Sequence, residues 1–261
     1  MSRLIDKITR IRQNEPQPIG FAALSRAASE KPRMQVIACV KAENLDKVSE
    51  GLNRADAALI EIARADDIAA LEKACDTEKN IPIGGWLKAS SSETLRKAAD
   101  IACDFVVFPG SIPVALTQKE KMGRILEVNT SLNERMLRAA GDLPIDAVLV
   151  FDKVEDSPLT VNRLMVFQYL INSITKPILV SIPIKLTESE LQALWDVGIS
   201  GLAVDLVDER STKSLVELRK ALDNLAPPAF RKKFKAGATV PRMQPEQAKP
   251  PEEEGDGEED E

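Results

Sequence analysis

The chain has 261 residues and not one histidine. That absence removes Ser-His-Asp and Cys-His chemistry and any histidine base. Acid and base work must then fall to Lys, Asp, Glu, Cys or the single tyrosine, Tyr169. Cysteine is scarce as well: Cys39, Cys75 and Cys103 lie far apart with no CxxC pair, which argues against disulfides and against structural zinc. Aromatic residues make up only 4% of the chain, too few for a stacking surface for nucleic acid. No apolar run approaches the ~18 residues of a membrane span. The opening Met1-Ser-Arg-Leu-Ile-Asp-Lys7 carries charge where a signal peptide is apolar, so the expected location is cytoplasmic.

The net charge of -6 is concentrated at one end, because residues 252–261 hold eight acids and no base. The remainder is close to neutral, and its 44% hydrophobic content suits an ordinary globular core. Three segments follow: 1–34, a helix and linker; 35–226, the folded body; and 227–261, a basic patch and a disordered acidic tail. In the first, Leu4, Ile5, Ile8 and Ile11 share one helical face beside Arg3, Lys7, Arg10 and Arg12. This amphipathic helix is expected to pack across the floor of the body or against a partner subunit. Asn14–Pro18 reads as linker, and Ile19–Ala23 as an extended piece outside the main repeat. In the last, Phe230–Lys235 is basic, and Ala236–Glu261 has too little apolar content to offset its ordering entropy.

The body repeats one unit. Eight apolar runs read as strands: Gln35–Val40, Ala57–Ile62, Ile81–Leu87, Asp104–Phe108, Arg124–Val128, Asp146–Phe151, Ile178–Ile182 and Gly201–Asp205. Between and after them lie helical stretches: Leu45–Leu52, Asp66–Ala74, Ser92–Ala99, Val114–Lys121, Leu132–Ala140, Thr160–Ile174, Glu188–Val197 and Thr212–Leu225. The consecutive apolar positions fit strands covered on both faces. Eight strand-helix repeats predict an α/β fold, a single (β/α)8 TIM barrel with an N-terminal amphipathic helix and a disordered acidic C-terminal tail. An open doubly wound sheet is disfavoured, because the turn after Val40, Lys41-Ala-Glu-Asn44, has no glycine. Three loops carry the capping pattern: Ser90 with Glu93, Ser131 with Glu134 and Thr187 with Glu190.

In such a barrel, chemistry belongs at the C-terminal strand ends. Those positions supply Lys41, Glu61, Lys88, Pro109-Gly-Ser111, Glu127 with Asn129, Asp152 with Lys153, Ser181 with Lys185, and Asp205 with Asp208. Three chemistries suit them. Lys88 or Lys153 can form a Schiff base with a carbonyl compound, with Glu61, Glu127 or Asp152 as proton partner. Glu61, Glu127, Asp152 and Asp205 can hold a divalent cation, although neutralisation by Lys41, Lys88 and Lys153 accounts for the same residues and no metal is expected. Gly110 and Ser111 can offer backbone N–H groups to an anion, or simply form a turn. Lys41, Gly110, Ser111, Asn129, Ser181 and Asp205 are the candidate ligand contacts.

Asp104-Phe-Val-Val-Phe108, Gly123-Arg-Ile-Leu-Glu-Val128, Ile178-Leu-Val-Ser-Ile182 and Gly198-Ile-Ser-Gly-Leu-Ala-Val204 resemble the strands of aldolase-type and ribulose-phosphate-binding TIM barrels, among them indole-glycerol-phosphate synthase. The resemblance spans about residues 35–225 and implies a phosphate site in glycine-rich turns after strands seven and eight. Here those turns are Pro183-Ile-Lys-Leu186 and Leu206-Val-Asp-Glu-Arg210, without glycine. The expectation is an aldolase- or lyase-type enzyme on a small carbonyl compound, with no cofactor. The alternative is a non-catalytic barrel serving as a binding or assembly module. A homo-oligomer is expected through Leu164–Ile171, where Met165, Val166, Phe167, Leu170 and Ile171 exceed the needs of one core face.

Overall fold

Alternation along each strand decides what the interior contains. The computed structural model describes residues 2–13, 33–88, 91–117, 122–151 and 158–226. These fall within one unit, Met1–Pro228. The linker and extended piece at 14–32, the Ser90 cap, Asp152 and Lys153, the basic patch and the acidic tail lie outside the described residues.

Eight parallel strands close into a barrel in sequence order, β8 pairing back onto β1. They are β1 (Gln35–Lys41), β2 (Ala57–Ile62), β3 (Ile83–Leu87), β4 (Phe105–Pro109), β5 (Gly123–Val128), β6 (Ala147–Val150), β7 (Ile178–Ser181) and β8 (Gly201–Leu206). Helix α1 (Arg3–Gln13) precedes them. Helices α2 (Leu45–Leu52), α3 (Asp67–Thr77) and α4 (Ser92–Asp100) follow β1 to β3. Helices α5 (Glu134–Asp142), α6 (Val161–Ser173), α7 (Glu188–Val197) and α8 (Glu209–Asp223) follow β5 to β8.

After β4 the expected helix Val114–Lys121 is replaced, among the described residues, by a 3-10 turn over Val114–Thr117. The physical reason is the pattern: after Val114 and Leu116 no apolar residue recurs until Met122, so the segment has no stripe to bury, and Val114 is 68% exposed. One capping expectation also fails. The cap of α5 is Asn133, which accepts from the Met136 N–H, while Ser131 bonds to Asn129 and Glu134 pairs with Arg138. The Ser90 half of the expected box at α4 lies outside the described residues, and Glu93 pairs with Lys97. The Thr187–Glu190 box is complete, and Glu190 also accepts from the Leu159 N–H at 2.7 Å, tying the entry of α6 to that of α7.

Buried residues separate into two sets by parity. Ile37, Cys39, Ala57, Leu59, Trp86, Phe105, Val107, Ile125, Ala147, Leu149, Leu179 and Ala203 form one cluster, the barrel interior. Their strand neighbours, such as Val36, Ala38, Ile60, Val106, Val148 and Val204, form the other, between sheet and helices. The interior is filled by mixing sizes. A Cβ on Gly84 would come within 2.4 Å of the Phe105 ring, so glycine on β3 is what admits the phenylalanine of β4.

The floor is closed by α1. Leu4 and Ile8 have no exposed surface and join the interior cluster, because the helix lays its apolar stripe across the open end. Asp104, just before β4, accepts from Ser2 Oγ at 2.7 Å, from the Arg3 N–H at 2.8 Å and from the Leu4 N–H at 3.1 Å. It thus satisfies helix donors that would otherwise be orphaned. Gly123 makes room, since a Cβ there would lie 2.6 Å from Ile5. Asp104→Ala is expected to release the first turn of α1 and lower stability by about 1–3 kcal/mol, read from urea unfolding.

Candidate active site at the barrel mouth

The same parity that buries Cys39, Leu59, Trp86, Ile125, Leu179 and Ala203 carries one step further along each strand. Two residues on, the inward positions become Lys41, Glu61, Lys88, Glu127, Ser181 and Asp205. Register confirms their neighbourhood: Lys41 is level with Glu61, Glu61 with Trp86, and Cys39 with Asp205. The polar strand ends therefore occupy the inward positions that follow the apolar ones along each strand.

On one side, Lys88 and Glu127 form the best-defined contact. Lys88 Nζ lies 3.0 Å from Glu127 Oε1, with both side chains mostly buried. The indole N–H of Trp86 donates to Glu127 Oε2 at 2.6 Å, holding the other carboxylate oxygen. Lys88 Nζ also stands 4.1 Å from the Trp86 ring centre and 4.0 Å from that of Phe151, and the two rings meet edge to face. A cation between two ring faces and a carboxylate is favourably placed. The ammonium is thus boxed by Trp86, Phe151 and Glu127.

On the other side, β8, β1 and β2 bring Asp205, Lys41 and Glu61 to the mouth. Asp205 is open to solvent yet crowded by protein, as expected for a group within a concave opening. Burial pushes its carboxyl above the ordinary carboxylate value, opposed by Lys41 and Lys88. Beneath them the Cys39 thiol is pushed well up by burial, with Asp205 and Glu61 adding to the effect and Lys88 opposing it. It stays neutral and forms part of the apolar support.

The remaining sequence candidates fall elsewhere. Gly110 and Ser111 are exposed in the turn after β4, where Ile112 N–H closes on Pro109 O. Gly110 has no left-handed φ, and a Cβ there would meet nothing within 4 Å. Asn129 accepts from Ser131 N–H and Oγ–H. Asp208 caps α8, accepting from Ser211 N–H at 2.9 Å, and Lys185 is exposed. Among the described residues no group of three or more Cys, Asp or Glu is placed to hold a metal ion. Sequence reasoning passed over Trp86 and Phe151. Trp86 could have been found from Lys88, since residues two apart on a strand share a face.

No protein-family model matches the chain, and no curated protein sequence matches it. Solved structures do. A mutant tryptophan synthase alpha-subunit from Pyrococcus furiosus aligns with a TM-score of 0.57 at 11% identity, over 74% of this chain and 98% of that one. Tryptophan synthase from M. tuberculosis, in an open form, aligns with a TM-score of 0.56 at 13% identity, over 85% and 99% of the two chains. At these identities the likeness is one of fold. The chain is a closed eight-stranded parallel barrel of the (β/α)8 TIM type.

The Asp205 shift has a consequence for stability. Its folded carboxyl binds a proton more tightly than the unfolded one, so its effect is absent below the ordinary carboxylate value. As pH rises through the interval up to the folded value, ionisation increasingly disfavours the fold. Asp205→Asn is expected to raise the melting temperature at neutral pH, with the gain vanishing in acid below the carboxylate range. Thermal melts of both proteins across pH check this.

Proposed function

We propose that the barrel is an aldolase- or lyase-type enzyme acting on a small carbonyl compound, with Lys88 as the amine and Glu127 as its proton partner. The observation that carries this reading is the 3.0 Å contact between Lys88 Nζ and Glu127 Oε1 at the mouth, inside the Trp86–Phe151 box. Glu127 takes the ammonium proton directly. The freed amine adds to the carbonyl carbon, and proton transfer from nitrogen to oxygen gives the neutral carbinolamine. Glu127 then returns its proton to the hydroxyl, which leaves as water, and the product is an iminium.

That iminium is again a cation, so the rings and carboxylate that favour the resting ammonium also favour the covalent intermediate. The iminium withdraws electrons from the adjacent carbon–carbon bond, which is the step a lyase needs. Glu61 and Asp205, at inward strand-end positions, are second proton-handling groups, and Lys41 and Ser181 are contacts for the rest of the substrate. The tryptophan synthase likeness is consistent with a small-molecule site at this end of the barrel.

A second reading is favoured by the same contact. Lys88 and Glu127 satisfy one another, and Trp86 satisfies the remaining carboxylate oxygen, as in a closed structural plug of a binding module. Sodium borohydride added with a panel of small aldehydes and 2-keto acids separates the two. The enzyme reading expects a reduced adduct on Lys88, found by peptide mass mapping, abolished in Lys88→Met and slowed at least tenfold in Glu127→Gln. No adduct with any member of the panel rules the Schiff-base reading out.

A further inference from the structure

Helix α6 differs from its neighbours in what it shows to water. Its thirteen residues, Val161 to Ser173, contain one charged side chain, Arg163. That guanidinium folds back over the Phe167 ring at 5.6 Å. The outward positions are Val161, Asn162, Met165, Tyr169 and Asn172. Of these Val161 is 73% exposed, Met165 64% and Tyr169 40%, at the i, i+4, i+8 spacing of a straight stripe. By contrast, α3 exposes Glu72, Lys73 and Asp76, α5 exposes Glu134, Arg135 and Arg138, and α8 exposes Lys213, Glu217 and Lys220.

The stripe is not spare core. Phe167 and Leu170 are each 1% exposed and already bury the opposite face, so the surface expected at Leu164–Ile171 shifts outward to Val161, Met165 and Tyr169. Nor do the polar groups beside it ask for a charged partner, since Gln168 bonds to Asn172 and Ser173 to the Tyr169 carbonyl.

We infer that this face of α6 is the two-fold contact between two copies of the chain. A symmetric contact sets a patch against itself, and the residue on the two-fold axis, here Met165 at the middle of the stripe, meets its own copy, so a charge there would meet its like. A stripe of one sign would be repelled, and a mixed stripe would demand one register. The α6 stripe carries no charge, so it meets its own copy without either cost, while its apolar groups leave water. At ~1.5 Å per residue the helix is about 20 Å long. Two such helices with their flanking side chains bury roughly 1,000 Å² in total, at the lower end of specific interfaces. The association is therefore weak and concentration-dependent.

Sedimentation velocity on the full chain, from low micromolar to several hundred micromolar, tests this together with Met165→Lys and Met165→Asp. Both substitutions point outward and are expected to leave the melting temperature unchanged. The wild type is expected to pass from monomer to dimer over this range. Each variant alone is expected to weaken dimerisation at least tenfold, and an equimolar mixture of the two to regain it, because opposite charges then face each other across the contact. A wild type that remains monomeric throughout overturns the inference. So does a dimer indifferent to both variants, which would place the contact elsewhere, or variants that do not complement, which would mean the stripe does not meet itself.

Discussion

The structure depends on one constraint: successive residues of a strand point to opposite faces, and in a closed barrel one of those faces has nowhere to go but inward. Eight strands in parallel register therefore build the interior as layers, each strand contributing alternate side chains. Leu4 and Ile8 of α1 close that interior at the floor, and Ile37, Leu59, Phe105, Leu149 and their companions fill it. Only at the top does solvent reach the same inward positions, and there the residues change from apolar to ionisable. Lys41, Glu61, Lys88, Glu127 and Asp205 cluster because parity carries them to the one place where charge in this column can be hydrated or paired.

Pairing within that layer is uneven, and this gives the mouth its chemical character. Lys88 and Glu127 are fixed by each other and by two aromatic rings, whereas Asp205 lies where burial disfavours its charge. A site with one held proton donor–acceptor pair beside a carboxylate reluctant to ionise has both a positioned group and a poised one. The floor carboxylates are engaged in fold contacts instead, although burial raises the carboxyl of Asp56 as it does that of Asp205. There Asp104 caps α1, Asp56 accepts from Val36 N–H and pairs with Arg219, and Asp146 accepts from Arg124 N–H, so these charges serve the fold.

Much of this was legible in the chain. Apolar runs separated by helical spacing name the barrel, and the strand ends name Lys41, Glu61, Lys88, Glu127, Ser181 and Asp205, but together with Gly110, Ser111, Asn129, Lys185 and Asp208, which fall elsewhere, and Asp152 and Lys153, which lie outside the described residues. What was not legible has physical causes. Trp86 and Phe151 read as strand apolars, because their role comes from rings and an indole N–H brought together across β3, β5 and β6, which no local pattern records. Capping patterns recur by chance wherever Ser and Glu are common, so Ser131 lost the cap to Asn133. The Val114 segment shows the reverse: a length suited to a helix, without the apolar stripe that would anchor one.

Glu127 is held at the mouth between the indole of Trp86 and the ammonium of Lys88. The chain has two tryptophans, so the indole N–H region of a nitrogen-15 correlation spectrum is directly readable. One indole resonance is expected far downfield and protected from solvent exchange, and it should move upfield in Glu127→Gln while the resonance of Trp195 stays in place. Two freely exchanging indole signals, both indifferent to that substitution, would contradict the account.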